Sequence, residues 1–170
     1  MLYDVLNLVE LMMVEHASLR LHLRTVREGN ADLIFEVEDF VRNCHARIED
    51  EIIFPKLKEI LSGRNEEQLV KALSRLEADH KLIDMIGNQI KSRTAEGDLE
   101  TMRKRVMLYA DTLESHNSSE ETLVFPFWTL VGSQGDSELV HKAKGMVDEF
   151  GRDRYFKITG VSEKLFDAVV

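Results

Sequence analysis

The sequence is poor in the residues that β-sheets, disulfide frameworks and membrane spans require. Among its 170 residues there are two prolines, nine glycines and one cysteine, and aromatic residues make up 7%. Sheet proteins need more turn residues and more β-branched or aromatic stretches than this. Because 44% of the residues are hydrophobic, the chain can still bury one substantial core. The composition therefore favours a single all-helical domain.

Positive charge is also scarce, since 22 Lys and Arg residues face 31 Asp and Glu residues and give a net charge of −9. An acidic surface repels phosphate backbones and anionic lipid, so we expect neither a nucleic-acid nor a membrane partner. The single Cys44 cannot form an internal disulfide and fits a reducing compartment. The first residues lack the basic start of a signal peptide, and acidic residues interrupt their apolar stretch. These features predict a cytoplasmic protein.

Apolar residues recur at helical spacing in four long segments. The segments span about residues 4–28, 31–58, 65–93 and 98–131. Short glycine-containing connections between long amphipathic helices make antiparallel neighbours. The sequence therefore predicts an all-α, up-down-up-down four-helix bundle over residues 1–131.

A C-terminal helical extension is predicted over residues 132–170. It contains a shorter helix at about 137–150 and one or two final turns after Ser162. Its apolar end suggests that it packs either on the bundle or on the second subunit of a homodimer.

Two segments of the sequence match each other without a gap. They run from His45 to Pro55 and from His116 to Pro126, and both read His-x-x-x-Glu-acid-x-aliphatic-aliphatic-Phe-Pro. Each is preceded, one helix earlier, by an acid–histidine pair, Glu15-His16 or Asp79-His80. The chain therefore looks like a duplicated helical hairpin.

Helix geometry gives this repeat a chemical meaning. Residues four apart lie on one helix face about one turn apart, so an imidazole and a carboxylate at that spacing can bind the same metal ion. His45 and His80 lie 18 and 17 residues on either side of Gly63, which places them at one height in antiparallel helices. The same counting brings six residues to one level of the bundle: His16, His45, Glu49, His80, His116 and Glu120.

Simpler interpretations apply to the other polar residues. One histidine, or one His-x-x-x-Glu pair, is usually a surface feature, but two matched pairs with two level histidines are not, because buried unpaired charges are costly. His22 lies about 120° from the ligand face and His141 lies in the extension, so both are expected at the surface. Cys44 is expected to fill the core. Tyr109 packs in the core, supports the ligands from behind them, or gates the site.

The Phe-Pro ends of the two motifs have a predicted role of their own. Pro55 and Pro126 should each kink a helix or begin its end. Phe54 and Phe125 should cover the metal level with apolar bulk and help to exclude water.

These motifs resemble the hemerythrin-like, or HHE cation-binding, family over about residues 4–131. The resemblance implies two iron ions joined by carboxylates and by an oxo or hydroxo bridge. It implies that His16 and His45 hold one ion and that His80 and His116 hold the other. Glu49 and Glu120 would then bridge the two ions.

The sequence departs from the oxygen-carrying hemerythrins, which have two histidines four residues apart on the third helix. Here Asp84 lies four residues after His80, where it could supply a sixth ligand. A set of four histidines and two glutamates is closer to the di-iron domain of the iron–sulfur-cluster repair proteins, which usually carry a further cysteine-containing domain.

Two other metal sites are weighed against this one. A ferritin-like site would use Glu-x-x-His pairs, which occur at Glu77–His80 and Glu138–His141, but it leaves the other three histidines of the level unexplained. Zinc or manganese could replace iron, since both accept imidazole or carboxylate ligands.

The resulting hypothesis is a di-iron protein that binds or reacts with a small diatomic or peroxide ligand: oxygen, nitric oxide or peroxide. Such a protein would serve in iron, oxidative or nitrosative stress, or in iron–sulfur repair. The alternatives are a non-enzymatic sensor of oxygen, nitric oxide or iron, and an iron-storage module. The sequence assigns no catalytic residue.

Overall fold

A computed structural model describes residues 6–64, 66–131 and 137–169, and it contains helices and no strand within those ranges. The helices are α1 Leu8–Arg27, α2 at 33–61, α3 Glu67–Ala95, α4 Leu99–Leu123, α5 Phe125–Val131, α6 Ser137–Phe150, α7 Arg152–Thr159 and α8 Glu163–Asp167. The predicted all-α fold class is confirmed. None of the described helices is both long and apolar enough to cross a lipid bilayer.

Local sequence signals set the starts of two of the long helices. The Asn7 side chain accepts a hydrogen bond from the backbone N–H of Glu10, whose carboxylate accepts one from the N–H of Asn7, so α1 begins with a capping box. The Asp98 side chain accepts from the N–H of Thr101 and caps α4. Just before it, Gly97 has a φ of 75°, which glycine adopts without steric cost.

The second long helix is not a regular α-helix, contrary to the expectation from its sequence. Its α-helical turns are interrupted by two π-helical segments, Val41–His45 and Glu49–Ile53. The N–H of Ala46 donates to the Val41 carbonyl and the N–H of Phe54 donates to the Glu49 carbonyl, five residues back in each case. Such π turns often occur at functional sites.

The two prolines act differently on their helices. Pro55 follows the second π segment, and α2 continues through it to Leu61. The carbonyl of Glu51, to which residue 55 would donate in a regular α-helix, accepts instead from Lys142 Nζ at 3.0 Å. At the other motif the helix is interrupted at Val124, and Pro126 lies in the first turn of α5. The fourth predicted helix, 98–131, is therefore two helices.

Contacts between the long helices show their relative directions. Along α2 and α3, Arg42 binds Asn88 at one end and Lys58 binds Glu77 at the other, so these helices run in opposite directions. Along α1 and α4, Arg20 binds Glu121 and Arg27 binds Glu114 and Asp111, which is again antiparallel. The same four helices enclose a continuous apolar core.

The C-terminal helices pack on the body of the same chain. Helix α7 contacts α1, and the carbonyl of Ile158 in α7 accepts hydrogen bonds from Ser18 Oγ and His22 Nε2. Tyr155 and Phe166 are fully buried. His22 is therefore half-buried beneath the extension, and the prediction of a free surface residue is wrong. The predicted boundary at 131/132 adjoins residues 132–136, which lie outside the described residues, and the homodimer stays a prediction.

Candidate metal centre

The six residues predicted at one level lie together in the interior of the chain. His80 is 7% exposed, and the other five residues are each exposed by 2% or less. Their donor atoms form two groups, with all atoms of a group within 4.8 Å of one another: His16, His45, Glu49 and Glu120, and Glu49, His80, His116 and Glu120. The two glutamates belong to both groups.

Each glutamate presents one oxygen to each group. Glu49 Oε1 lies 3.5 Å from His45 Nε2, whereas its Oε2 lies 3.2 Å from His80 Nε2. Glu120 Oε2 lies 3.4 Å from His16 Nε2, whereas its Oε1 lies 3.1 Å from His116 Nε2. This is the arrangement in which a carboxylate can bridge two ions.

The facing atoms lack any other partner. The Nε2 atoms of all four histidines and both oxygens of Glu49 and Glu120 are buried and make no hydrogen bond in the described structure. Leaving so many buried polar atoms unpaired would be costly. Two ligands at right angles on one octahedral ion, each at about 2.1 Å, lie about 3.0 Å apart, which is close to the separations found here. The donor set therefore fits metal ions.

The same geometry shifts the pKa values of the ion-free side chains. Burial lowers the pKa of His16, but the carboxylates of Glu120 and Glu49 raise it by more, to about 10. Burial raises the pKa of Glu49, but His45, His16 and His80 hold it well below its usual range. An incoming cation would thus replace a proton on His16 and meet an ionised Glu49.

Residues 7–128 match the sequence model of the hemerythrin HHE cation-binding domain. The chain belongs to this family. No curated protein and no solved structure matches it.

In this HHE domain a carboxylate faces the outer nitrogen, Nδ1, of every histidine in the centre. The pairs are His45 with Glu15 at 2.7 Å, His80 with Asp50 at 2.8 Å, His16 with Glu121 at 2.9 Å and His116 with Asp79 at 3.9 Å. In the first three pairs, donation from Nδ1 to the carboxylate fixes the tautomer and leaves Nε2 free to bind a metal. His116 Nδ1 makes no hydrogen bond among the described residues. Sequence reasoning gave these four acids no role, although the repeat marked each of them.

The phenylalanines of the two motifs lie where the sequence predicts. Phe54 stacks on the His80 ring with 5.7 Å between centroids, and Phe125 stacks on the His16 ring at 5.2 Å. One histidine in each group is therefore covered by an apolar ring.

The structure does not place Asp84 among the ligating atoms. Its Oδ1 binds Arg42 Nε at 2.7 Å, its Oδ2 accepts from Asn88 Nδ2 at 3.2 Å, and its side chain is 47% exposed. The expectation of a sixth ligand at this position is not supported, because Arg42 and Asn88 hold the carboxylate at the surface.

Tyr109 is fully buried, and its hydroxyl has no hydrogen-bond partner among the described residues. Its side chain and that of His80 line a cavity of about 270 Å³.

The ferritin-like alternative is not assembled in the described part of the chain. Glu77 binds Lys58 at 2.5 Å and belongs to neither donor group. His141 is exposed, as expected. Cys44 is fully buried in the apolar core, which agrees with its expected role as a core filler.

Proposed function

We propose that this HHE domain is a non-haem di-iron protein. His16 and His45 would hold one ion, His80 and His116 the other, and Glu49 and Glu120 would bridge them. The observation that carries the proposal is that each glutamate turns one otherwise unpaired oxygen toward each histidine pair. We infer that α1 to α4 hold this centre as an up-down-up-down bundle, in keeping with the opposite directions of α1 and α4 and of α2 and α3.

Iron suits this donor set better than zinc. Zinc sites are usually four-coordinate and tetrahedral, whereas two shared carboxylates and four imidazoles suit two adjacent ions that accept more ligands. Manganese accepts carboxylate readily but is served less well by four imidazoles. A bridging oxo or hydroxo group, as the family resemblance implies, would complete the centre.

The protein residues have distinct tasks in this proposal. Three outer carboxylates, Glu15, Asp50 and Glu121, orient the imidazoles they bind, and Phe54 and Phe125 limit the approach of water. Bound iron would supply electrons to a small ligand. Each ion has two histidines and two shared carboxylates, so both keep room for such a ligand within six-coordination. We therefore expect oxygen to oxidise the reduced protein rather than to be held reversibly, and we expect nitric oxide to bind.

A sensor is the second candidate function, and one observation favours it. Tyr155 in the C-terminal extension donates through its hydroxyl to Glu15 Oε1 at 2.6 Å, and Glu15 in turn holds His45. A change at the centre could thus reach α7. A role in stress response or iron–sulfur repair, and a cytoplasmic location, remain proposals that rest on the resemblance of the ligand set and on composition.

Metal analysis of protein expressed with iron tests the proposal. We expect two irons per chain and an oxo-to-iron charge-transfer band in the near ultraviolet. A His141→Ala variant, altered at an exposed histidine outside the centre, should keep both ions. One zinc and no iron under these conditions would contradict the proposal. Two manganese ions and no iron would contradict iron as the metal but would keep the same ligand set.

A further inference from the structure

The cavity beside His80 lies on one side of the metal level. Tyr109 in α4 is seven residues before His116, and Ile83 in α3 is three residues after His80. Only residues 96–98 join α3 to α4, and the two helices pack together, so they run antiparallel. Both positions therefore lie one to two turns from the centre in the same direction. The cavity thus extends from His80 toward Tyr109 between α2, α3 and α4, and the exposed residues Asp50 and Lys81 form part of its wall.

The Tyr109 hydroxyl is a donor without an acceptor. Tyr109 is buried and lines the cavity, and its hydroxyl makes no hydrogen bond within the described residues. Burial, together with the nearby Glu38 carboxylate, raises the pKa of Tyr109, so the hydroxyl stays protonated. Because a buried donor without a partner is costly, the arrangement points to an acceptor atom on a molecule that enters the cavity.

The charges around the cavity do not favour an anion. Arg42 is already bound by Glu38 at 2.6 Å and by Asp84 at 2.7 Å. The other charged residues of the wall, apart from His80, are Asp50 and Lys81, so three carboxylates face two cations. Val41, Ala46 and Ile83 supply apolar wall. A small uncharged molecule with one acceptor atom fits this lining.

We propose that this cavity is the binding chamber of a small uncharged ligand, from which the ligand reaches the ion held by His80 and His116, and that Tyr109 donates a hydrogen bond to it. The proposal rests on the proposed function for the ion, but the chamber itself is a property of the protein. In this proposal, the ion held by His80 and His116 is the one at which the small ligand binds and from which it is released.

Nitric oxide binding to the reduced, iron-loaded protein tests the chamber with three variants. Ala46→Leu fills the wall and should slow association at least tenfold. Tyr109→Phe removes one hydrogen bond and should speed release about five- to tenfold. Ala17→Leu is the matched control, because Ala17 directly follows His16 as Ala46 follows His45, yet Ala17 is exposed. It should behave as wild type.

The same samples separate failure of the chamber from failure of the centre. Wild-type rates in both Ala46→Leu and Tyr109→Phe, at two irons per chain, would overturn the chamber and leave the di-iron proposal intact. Crystals of the protein as purified, pressurised with xenon, give a readout without iron. We expect xenon between Tyr109 and Ala46 in wild type and none in Ala46→Leu. A wild-type crystal without xenon there overturns the chamber even if no iron is bound.

Discussion

The two halves of the centre come from matching motifs but have different surroundings. In the first half-site, His16 and His45, the outer carboxylate Glu15 is fully buried and binds both His45 and Tyr155. In the second half-site, His80 and His116, the corresponding Asp79 is 29% exposed and lies 3.9 Å from His116 Nδ1. The C-terminal helices cover the first half-site, whereas the cavity adjoins the second.

This difference shows how a duplicated motif acquires two roles. Hydrogen bonds in a buried, low-dielectric setting are strong and rigid, so the chain Tyr155–Glu15–His45 should hold the first ion firmly. The second half-site has a looser carboxylate and an adjoining cavity. We expect the first half-site to retain its ion and the second to exchange ligands.

The largest expected effect falls on both half-sites at once, because Glu49 serves both of them. Glu49→Gln should lower the apparent metal affinity of both by more than about 100-fold, beyond the 10–100-fold typical of changes to residues behind the ligands. Titration with ferrous iron followed by elemental analysis measures this. Glu51→Gln is the matched control two residues away, since the Glu51 side chain is 44% exposed. Two tightly bound ions in Glu49→Gln would show that it does not bridge.

An intermediate effect should distinguish the half-sites. Glu15→Gln removes a buried charge that orients His45, and it should weaken binding of one ion about 10–100-fold. Asp79→Asn changes a more distant, partly exposed carboxylate and should weaken binding by no more than about threefold. Competitive chelation of each variant gives the two affinities. Equal losses would mean that the difference in burial has no functional weight.

The smallest expected effect concerns the stability of the ion-free protein. Tyr155→Phe leaves Oε1 of the buried Glu15 without its donor and should lower the free energy of unfolding by about 1–3 kcal/mol. Tyr109→Phe removes a hydroxyl without a partner, so it should be neutral or slightly stabilising. Urea denaturation compares the two. A larger loss of unfolding free energy in Tyr109→Phe than in Tyr155→Phe would show that the Tyr109 hydroxyl has a hydrogen-bond partner.

The sequence predicted what depends on helical periodicity. The spacing of His45 and Glu49, and the residue counts from the turns, were sufficient to bring the six donor residues together. The sequence could also have identified the outer carboxylates, because each adjoins a predicted ligand in the repeat. Glu15 and Asp50, for example, directly neighbour His16 and Glu49.

What escaped prediction depends on contacts between distant parts of the chain. Tyr155 lies 140 residues from Glu15, and no motif links them. His22 was assigned to the surface because its helix face points away from the ligands, but that face is where α7 packs. Asp84 has the right spacing for a ligand, yet its ion pair with Arg42 turns it outward. Periodicity assigns a face, and only packing decides what covers it.

The two motifs align without a gap in the sequence. The π segments of α2 nevertheless have more residues per turn than a regular α-helix. Each π turn accommodates one residue more than an α turn. If the residues of Glu49–Ile53 formed a regular α-helix instead, those that follow would be rotated by about 100°. Phe54 would then leave the face on which it stacks against His80. At this level of α2, the number of residues is as much a determinant of the centre as their identity.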